Sequence, residues 1–120
     1  MRRKEKGNLG EALACRWIKK KKMVLLETNF RAPVGEIDLI ARDGECLVFI
    51  EVKARESFSY GFPEEAITRN KQNRIRKTAL YYLLRQGLNP EVTIFRFDVI
   101  AIQLDKAGHP VVINHYPNAF

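Results

Sequence analysis

The segment GEIDLIARDGECLVFIEVKAR, Gly35 to Arg55, carries two runs rich in Ile, Leu, Val and Phe on either side of Asp43-Gly44. Asp-Gly between apolar runs is a strong turn signal, so the segment reads as a β-hairpin. Three charges interrupt the apolar pattern: Asp38, Glu51 and Lys53. Strand side chains alternate between faces, which puts Glu51 and Lys53 on one face and Ile50 and Val52 on the other. Two registers are open. A two-residue loop at Asp43-Gly44 pairs Arg42 with Glu45 and sets Asp38 opposite Phe49, diagonal to Glu51. A four-residue loop from Asp43 to Cys46 sets Asp38 directly opposite Glu51. Both gather Asp38, Glu51 and Lys53 on one face, and a one-residue bulge would break that.

The rest of the chain gives this hairpin its setting. At 120 residues it is one domain, large enough for a single core, with the composition of a globular protein. No apolar run is long enough to span a bilayer and no apolar stretch follows the basic N-terminus, which points to a cytoplasmic protein. Cys15 and Cys46 lack metal-ligand spacing and read as reduced, buried thiols. Lys and Arg number 21 against 14 Asp and Glu, a net charge of +7. Such an excess favours polyanions, nucleic acid above all, through counterion release.

Met1 to Lys6 is basic and reads as a frayed end. Helical spacing of Leu9, Ala12, Leu13 and Trp17 predicts a helix over 8–22, closed by the cations Lys19 to Lys22, which read as a solvated helix end or a phosphate-contacting patch. Within it, Glu11 lies on a row with Ala14, Cys15 and Ile18. Asn8 as N-cap would place Glu11 in an approximate capping box, and the alternative is a functional carboxylate on an inward row. Val24 to Phe30 is a predicted strand, turned into the hairpin by Pro33-Val34-Gly35. After the loop ESFSYGFP, a second helix is expected from Pro63 to about Gln86, with Glu64 and Glu65 at its positive end and Gly87 stopping it. Its apolar row is Ile67, Ile75, Ala79, Tyr82 and Leu83, with Lys71 in line. Val92–Leu104 and Pro110–Tyr116 are strands about a turn at Lys106-Ala107-Gly108. The order α-β-β-β-α-β-β, with a right-handed crossover between the hairpin and 92–104, predicts an α/β fold with a mixed central sheet flanked by helices.

Two carboxylates and an ammonium on one hairpin face suit a hard cation. Mg²⁺ is commonly held by one or two carboxylates together with water and substrate phosphate. Asp38 and Glu51 meet that demand, the carbonyl of Val52 would add a ligand, and Lys53 would orient or deprotonate an attacking water or stabilise charge on phosphate. An ordinary polar hairpin face is the competing reading, weakened because LVFIEVKAR is apolar enough for a central strand. No Walker loop, dinucleotide fingerprint or nucleophile elbow is present. His109 and His115 are expected at the surface, and Asp98 as a structural ion pair with Arg96.

Asp38 with Glu51-Val52-Lys53 resembles the signature of the PD-(D/E)xK nuclease superfamily, although Ile37 stands where the signature has Pro. An early-helix Glu also occurs in archaeal Holliday-junction resolvases, and Glu11 occupies the comparable place. More of the chain resembles the YraN-like family of predicted bacterial endonucleases: GNLGEALA, GEIDLIARD, LVFIEVKAR, YGFPEEAI with Lys71 and Arg74 following, and RFDVI. The resemblance implies a restriction-endonuclease-like fold. It also implies a Mg²⁺-dependent deoxyribonuclease, Mn²⁺ substituting, with Glu11, Asp38, Glu51 and Lys53 at the site and Lys71 and Arg74 on DNA phosphates. A nucleic-acid-binding module with weak or no catalysis is the alternative. Monomer and homodimer both remain open.

Overall fold

The computed structural model describes residues 2–56 and 67–120. Its elements run α1 (Arg3–Lys20), β1 (Val24–Ala32), β2 (Gly35–Asp43), β3 (Cys46–Arg55), α2 (Arg69–Arg85), β4 (Phe95–Leu104) and β5 (Pro110–Tyr116). This is the expected mixed α/β order. The strands form one sheet in chain order, antiparallel except for β3 and β4, which are parallel. A parallel pair needs a crossover, and α2 lies within it.

Alternation along β3 divides the core in two. Val48 and Ile50 turn to one face, where they meet Leu13, Ala14 and Ile18 of α1 and Ile100 and Ile102 of β4. Leu47 and Phe49 turn to the other, against Ile75, Ala79, Tyr82 and Leu83 of α2. There Tyr82 stands edge-on to both Phe30 and Phe49. The helices therefore cover opposite faces of the sheet.

Several boundaries differ from those predicted. Helix α1 starts at Arg3 rather than residue 8, since Arg, Lys and Glu are good helix formers. Asn8 thus lies inside the helix, and the capping-box reading of Glu11 falls. The second helix starts at Arg69, with Ile67 outside it and Thr68 in extended conformation as N-cap, its side chain accepting from the Lys71 N–H. Pro63, Glu64 and Glu65 lie outside the described residues. The helix ends as expected: Gly87 takes φ +72°, and the Gly87 and Leu88 N–H groups return to the carbonyls of Leu84 and Leu83. β4 starts at Phe95 rather than Val92, because Asn89 folds the preceding residues into a local turn. Its carbonyl accepts from the N–H groups of Val92 and Thr93, and its side chain from that of Glu91. The cysteines are free but half-buried rather than buried. Among the described residues no helix is long and apolar enough to cross a membrane.

Candidate active site at the fork between β2 and β3

The hairpin adopts the register predicted for the longer loop, with Arg42 opposite Leu47. Pairing continues to Asp43 and Cys46, so the turn itself is only Gly44-Glu45, with Gly44 at φ +61°. At the other end the ladder between β2 and β3 stops at Leu39 and Ile50. Beyond that point β2 goes on pairing with β1 as far as Gly35, and β3 with β4 as far as Arg55. Each strand follows its outer neighbour and the two separate. Asp38 is the first residue of β2 past the split, and Glu51 is its counterpart on β3.

The split leaves backbone groups to satisfy, and Asp38 supplies one partner. Its Oδ2 accepts the N–H of Val52 at 2.8 Å. Glu51 is buried, only 8% exposed, and its Oε1 lies 2.8 Å from Lys71 Nζ. Lys71 arrives from α2, where its place in line with the apolar residues turns it towards the sheet. Lys53 is half-buried beside it. Helix α1 closes on β3 through Gly10, where a Cβ would stand 2.5 Å from the Cβ of Ala54. That close approach fixes the half-buried Glu11 on the next residue.

The charges of both helical layers meet at Asp38. Burial raises its carboxyl most, the neighbouring Glu51 raises it further and Glu11 adds to the rise. The Val52 N–H and Lys71 work in the opposite direction, and the outcome is about 7. Burial and then Lys71 hold the Lys53 ammonium below the ordinary lysine range. Burial also pulls Lys71 down, but contact with Glu51 overrides it and leaves that ammonium above its usual value.

Each predicted residue has a definite place. Asp38, Glu51, Lys53 and Lys71 gather at the fork, with Glu11 acting on Asp38 from α1. Lys71 departs from expectation in being an internal partner of Glu51. Arg74 is exposed and borders a cleft of about 270 Å³ with Glu36 and Lys71. Among the described residues no three His, Cys, Asp or Glu side chains are grouped as a metal cage.

Residues 10–102 match the model of the uncharacterised protein family UPF0102. The chain is 44% identical over 117 residues to a UPF0102 protein of Clostridium botulinum, covering 98% of this chain and 94% of that one. It is 39% identical to a UPF0102 protein of Caldicellulosiruptor saccharolyticus and 40% identical to one of Dictyoglomus thermophilum, each over the full 120 residues. The chain belongs to UPF0102. This is the YraN-like family that its motifs resemble, and the matched span holds every residue assigned above to the fork.

A second polar cluster in this UPF0102 protein was only partly foreseen. Asp98 is fully buried and receives Arg96 Nε at 3.0 Å, as the ion-pair reading predicts. The cluster also draws in His115, which is not a surface residue. Its Nε2 lies 2.7 Å from Asp98 Oδ2, and its Nδ1 accepts the indole N–H of Trp17 at 3.3 Å. With Nδ1 accepting, the hydrogen sits on Nε2 and is donated to Asp98. Burial works to raise the Asp98 carboxyl, but His115, Arg96 and the Asn118 N–H together hold it below the usual range. The available signal was spacing, since His115 stands two residues after Ile113, which packs on the α1 side of the sheet.

Proposed function

We propose that this UPF0102 protein is a Mg²⁺-dependent endonuclease of the cytoplasm that cleaves phosphodiester bonds in DNA, branched or otherwise structured DNA included. The observation that carries this reading is the fork, where Asp38 and Glu51 are held together beside Lys53 on strands that part. The donor set suits Mg²⁺ or Mn²⁺ bound partly by substrate and water, because two carboxylates and a carbonyl are available rather than a full cage. Asp38 and Glu51, with the carbonyl of Val52, would hold the ion. Such an ion supplies Lewis acidity at phosphate and lowers the pKa of a bound water.

The protein's own groups do the remaining work. Lys53, kept less basic than an ordinary lysine, orients the attacking water and offsets charge on the attacked phosphate. Glu11 is an accessory carboxylate acting on Asp38. Lys71 neutralises Glu51 in the free protein and becomes a phosphate contact, with Arg74 beside it, once Glu51 is engaged elsewhere. The same Lys71–Glu51 contact favours a second reading, a nucleic-acid-binding module without catalysis, since it occupies a required carboxylate.

The deciding experiment incubates the protein with linear, nicked, flapped and four-way DNA, with Mg²⁺ or Mn²⁺ and with chelator. Nicking is expected only with metal. It is lost in Asp38→Ala with DNA binding retained, and lost in Lys53→Ala with metal retained and DNA still bound by the other cations. Cleavage unchanged in Asp38→Ala refutes this site. Metal-independent binding with no cleavage of any substrate leaves the binding module.

A further inference from the structure

Helix α1 carries two glycines one turn apart, and among the described residues only one has a packing reason. A glycine inside a helix costs about 1 kcal/mol relative to alanine. At Gly10 the cost is explained by Ala54, which leaves no room for a Cβ. At Gly7 a Cβ would meet nothing within 4 Å. The space above Gly7 is a cleft of about 690 Å³ between the first turns of α1 and the outer end of β3. Among the described residues Arg3, Lys6, Lys53 and Arg55 line it, against the single carboxylate of Glu56. Glu56 lies 3.8 Å from Lys6 in a partly exposed ion pair, which leaves the cleft strongly positive.

We propose that this cleft seats one strand of the nucleic acid by its phosphodiester backbone, with the phosphates against the bare helix backbone at Gly7 and between Arg3 and Lys6 on one side and Lys53 and Arg55 on the other. The proposal rests on reading the fork as a nucleic-acid site. Close approach of a ligand to a main chain is a known reason for glycine. Successive same-face residues of a strand lie about 7 Å apart, so Glu51, Lys53 and Arg55 form a row leading from the fork into the cleft. Lys53 belongs to both, which makes the cleft continuous with the reacting centre. Among the described residues no aromatic side chain lines it to serve as a platform for a base, and the expected recognition is of backbone, independent of sequence.

The test is binding of a short fluorescent duplex and a four-way junction by anisotropy in chelator, over a range of salt. Gly7→Leu leaves the net charge unchanged, improves helix propensity and fills the cleft; its affinity is expected to fall at least tenfold. Arg3→Ala with Arg55→Ala is expected to weaken binding of all sequences and lower the log–log salt slope by about two. Lys19→Ala with Lys20→Ala removes equal charge at the far, exposed end of α1 and is expected to cost less than half as much on a logarithmic scale. Melting curves by circular dichroism confirm that each variant is folded, and the two double variants decide the matter if Gly7→Leu is not. The proposal is overturned if folded Gly7→Leu binds like wild type, if both double variants lose equally, or if binding depends on sequence. The binding assay is run in chelator, without cleavage, so its failure and that of the nuclease reading are read separately. An inert protein that binds through the cleft removes the nuclease reading alone, and metal-dependent cleavage untouched by Gly7→Leu removes the cleft alone.

Discussion

Asp38 and Asp98 are both strand aspartates withdrawn from water, yet the protein treats them in opposite ways. Asp98 is surrounded by donors: Arg96, His115 and the Asn118 N–H all converge on it. Among the described residues Asp38 has one N–H donor, and it sits among like charges from Glu51 and Glu11. Asp98 consequently lies below the ordinary carboxylate range and Asp38 far above it. A carboxylate with its partners built in ties elements together. One left short of positive charge costs the fold stability when ionised and has capacity for a cation from outside.

The contrast predicts opposite responses to neutral substitution. The largest effect is expected at Asp98: Asp98→Ala leaves His115 without its carboxylate and half-buried Arg96 with Asp43 alone, and should lose about 3 kcal/mol, read from urea or thermal unfolding. A loss under 1 kcal/mol would remove the structural half of the comparison. Asp38→Asn should do the reverse and stabilise the metal-free protein by about 2 kcal/mol at pH 8. The sign follows from linkage: with a folded value of about 7 against roughly 3.9 unfolded, the native state binds more protons between those limits. Wild-type stability from this group therefore falls as pH rises from about 4 to about 7, and the gain from Asp38→Asn vanishes below that window. Asp98, shifted down, stabilises above its unfolded value and loses that contribution only in stronger acid. Because Asp38 must be ionised to bind a cation, the rise in Tm on adding Mg²⁺ or Mn²⁺ should be larger at pH 8 than at pH 6; equal rises would place the ion elsewhere. The smallest effect concerns the helix that brings Lys71 to Glu51: Thr68→Ala removes its cap and should cost about 1 kcal/mol without altering the pH dependence assigned to Asp38.

The hairpin, its two charged positions on β3 and the parallel crossover were readable because each rests on local pattern: Asp43-Gly44, alternation, and a helix between two strands. The register was readable only as a pair of alternatives, since turn length is decided by whether Asp43 and Cys46 pair. Boundaries failed where one residue's local hydrogen bonds outweighed periodicity, as at Asn89, or where good helix formers extended a helix past a plausible cap, as at Asn8. The placement of Glu51 against Lys71 and of His115 against Asp98 depends on contacts between elements distant in sequence. Alternation and helical rows name the faces involved, but not which charge will find which.

The contact between Glu51 and Lys71 also bears on the order of assembly. All the acids of the fork lie within α1, β2 and β3, with Lys53 beside them, whereas the ammonium in contact with Glu51 arrives with α2 and β4 closes onto β3 only after the crossover. Antiparallel neighbours find each other faster than parallel strands joined by a long connection. The carboxylates are thus brought together before the ammonium that relieves them. A refolding phase that slows as the carboxylates ionise in wild type, and does so less in Asp38→Asn, would record that interval. On this account the helix that neutralises the site is also the piece whose arrival completes the sheet.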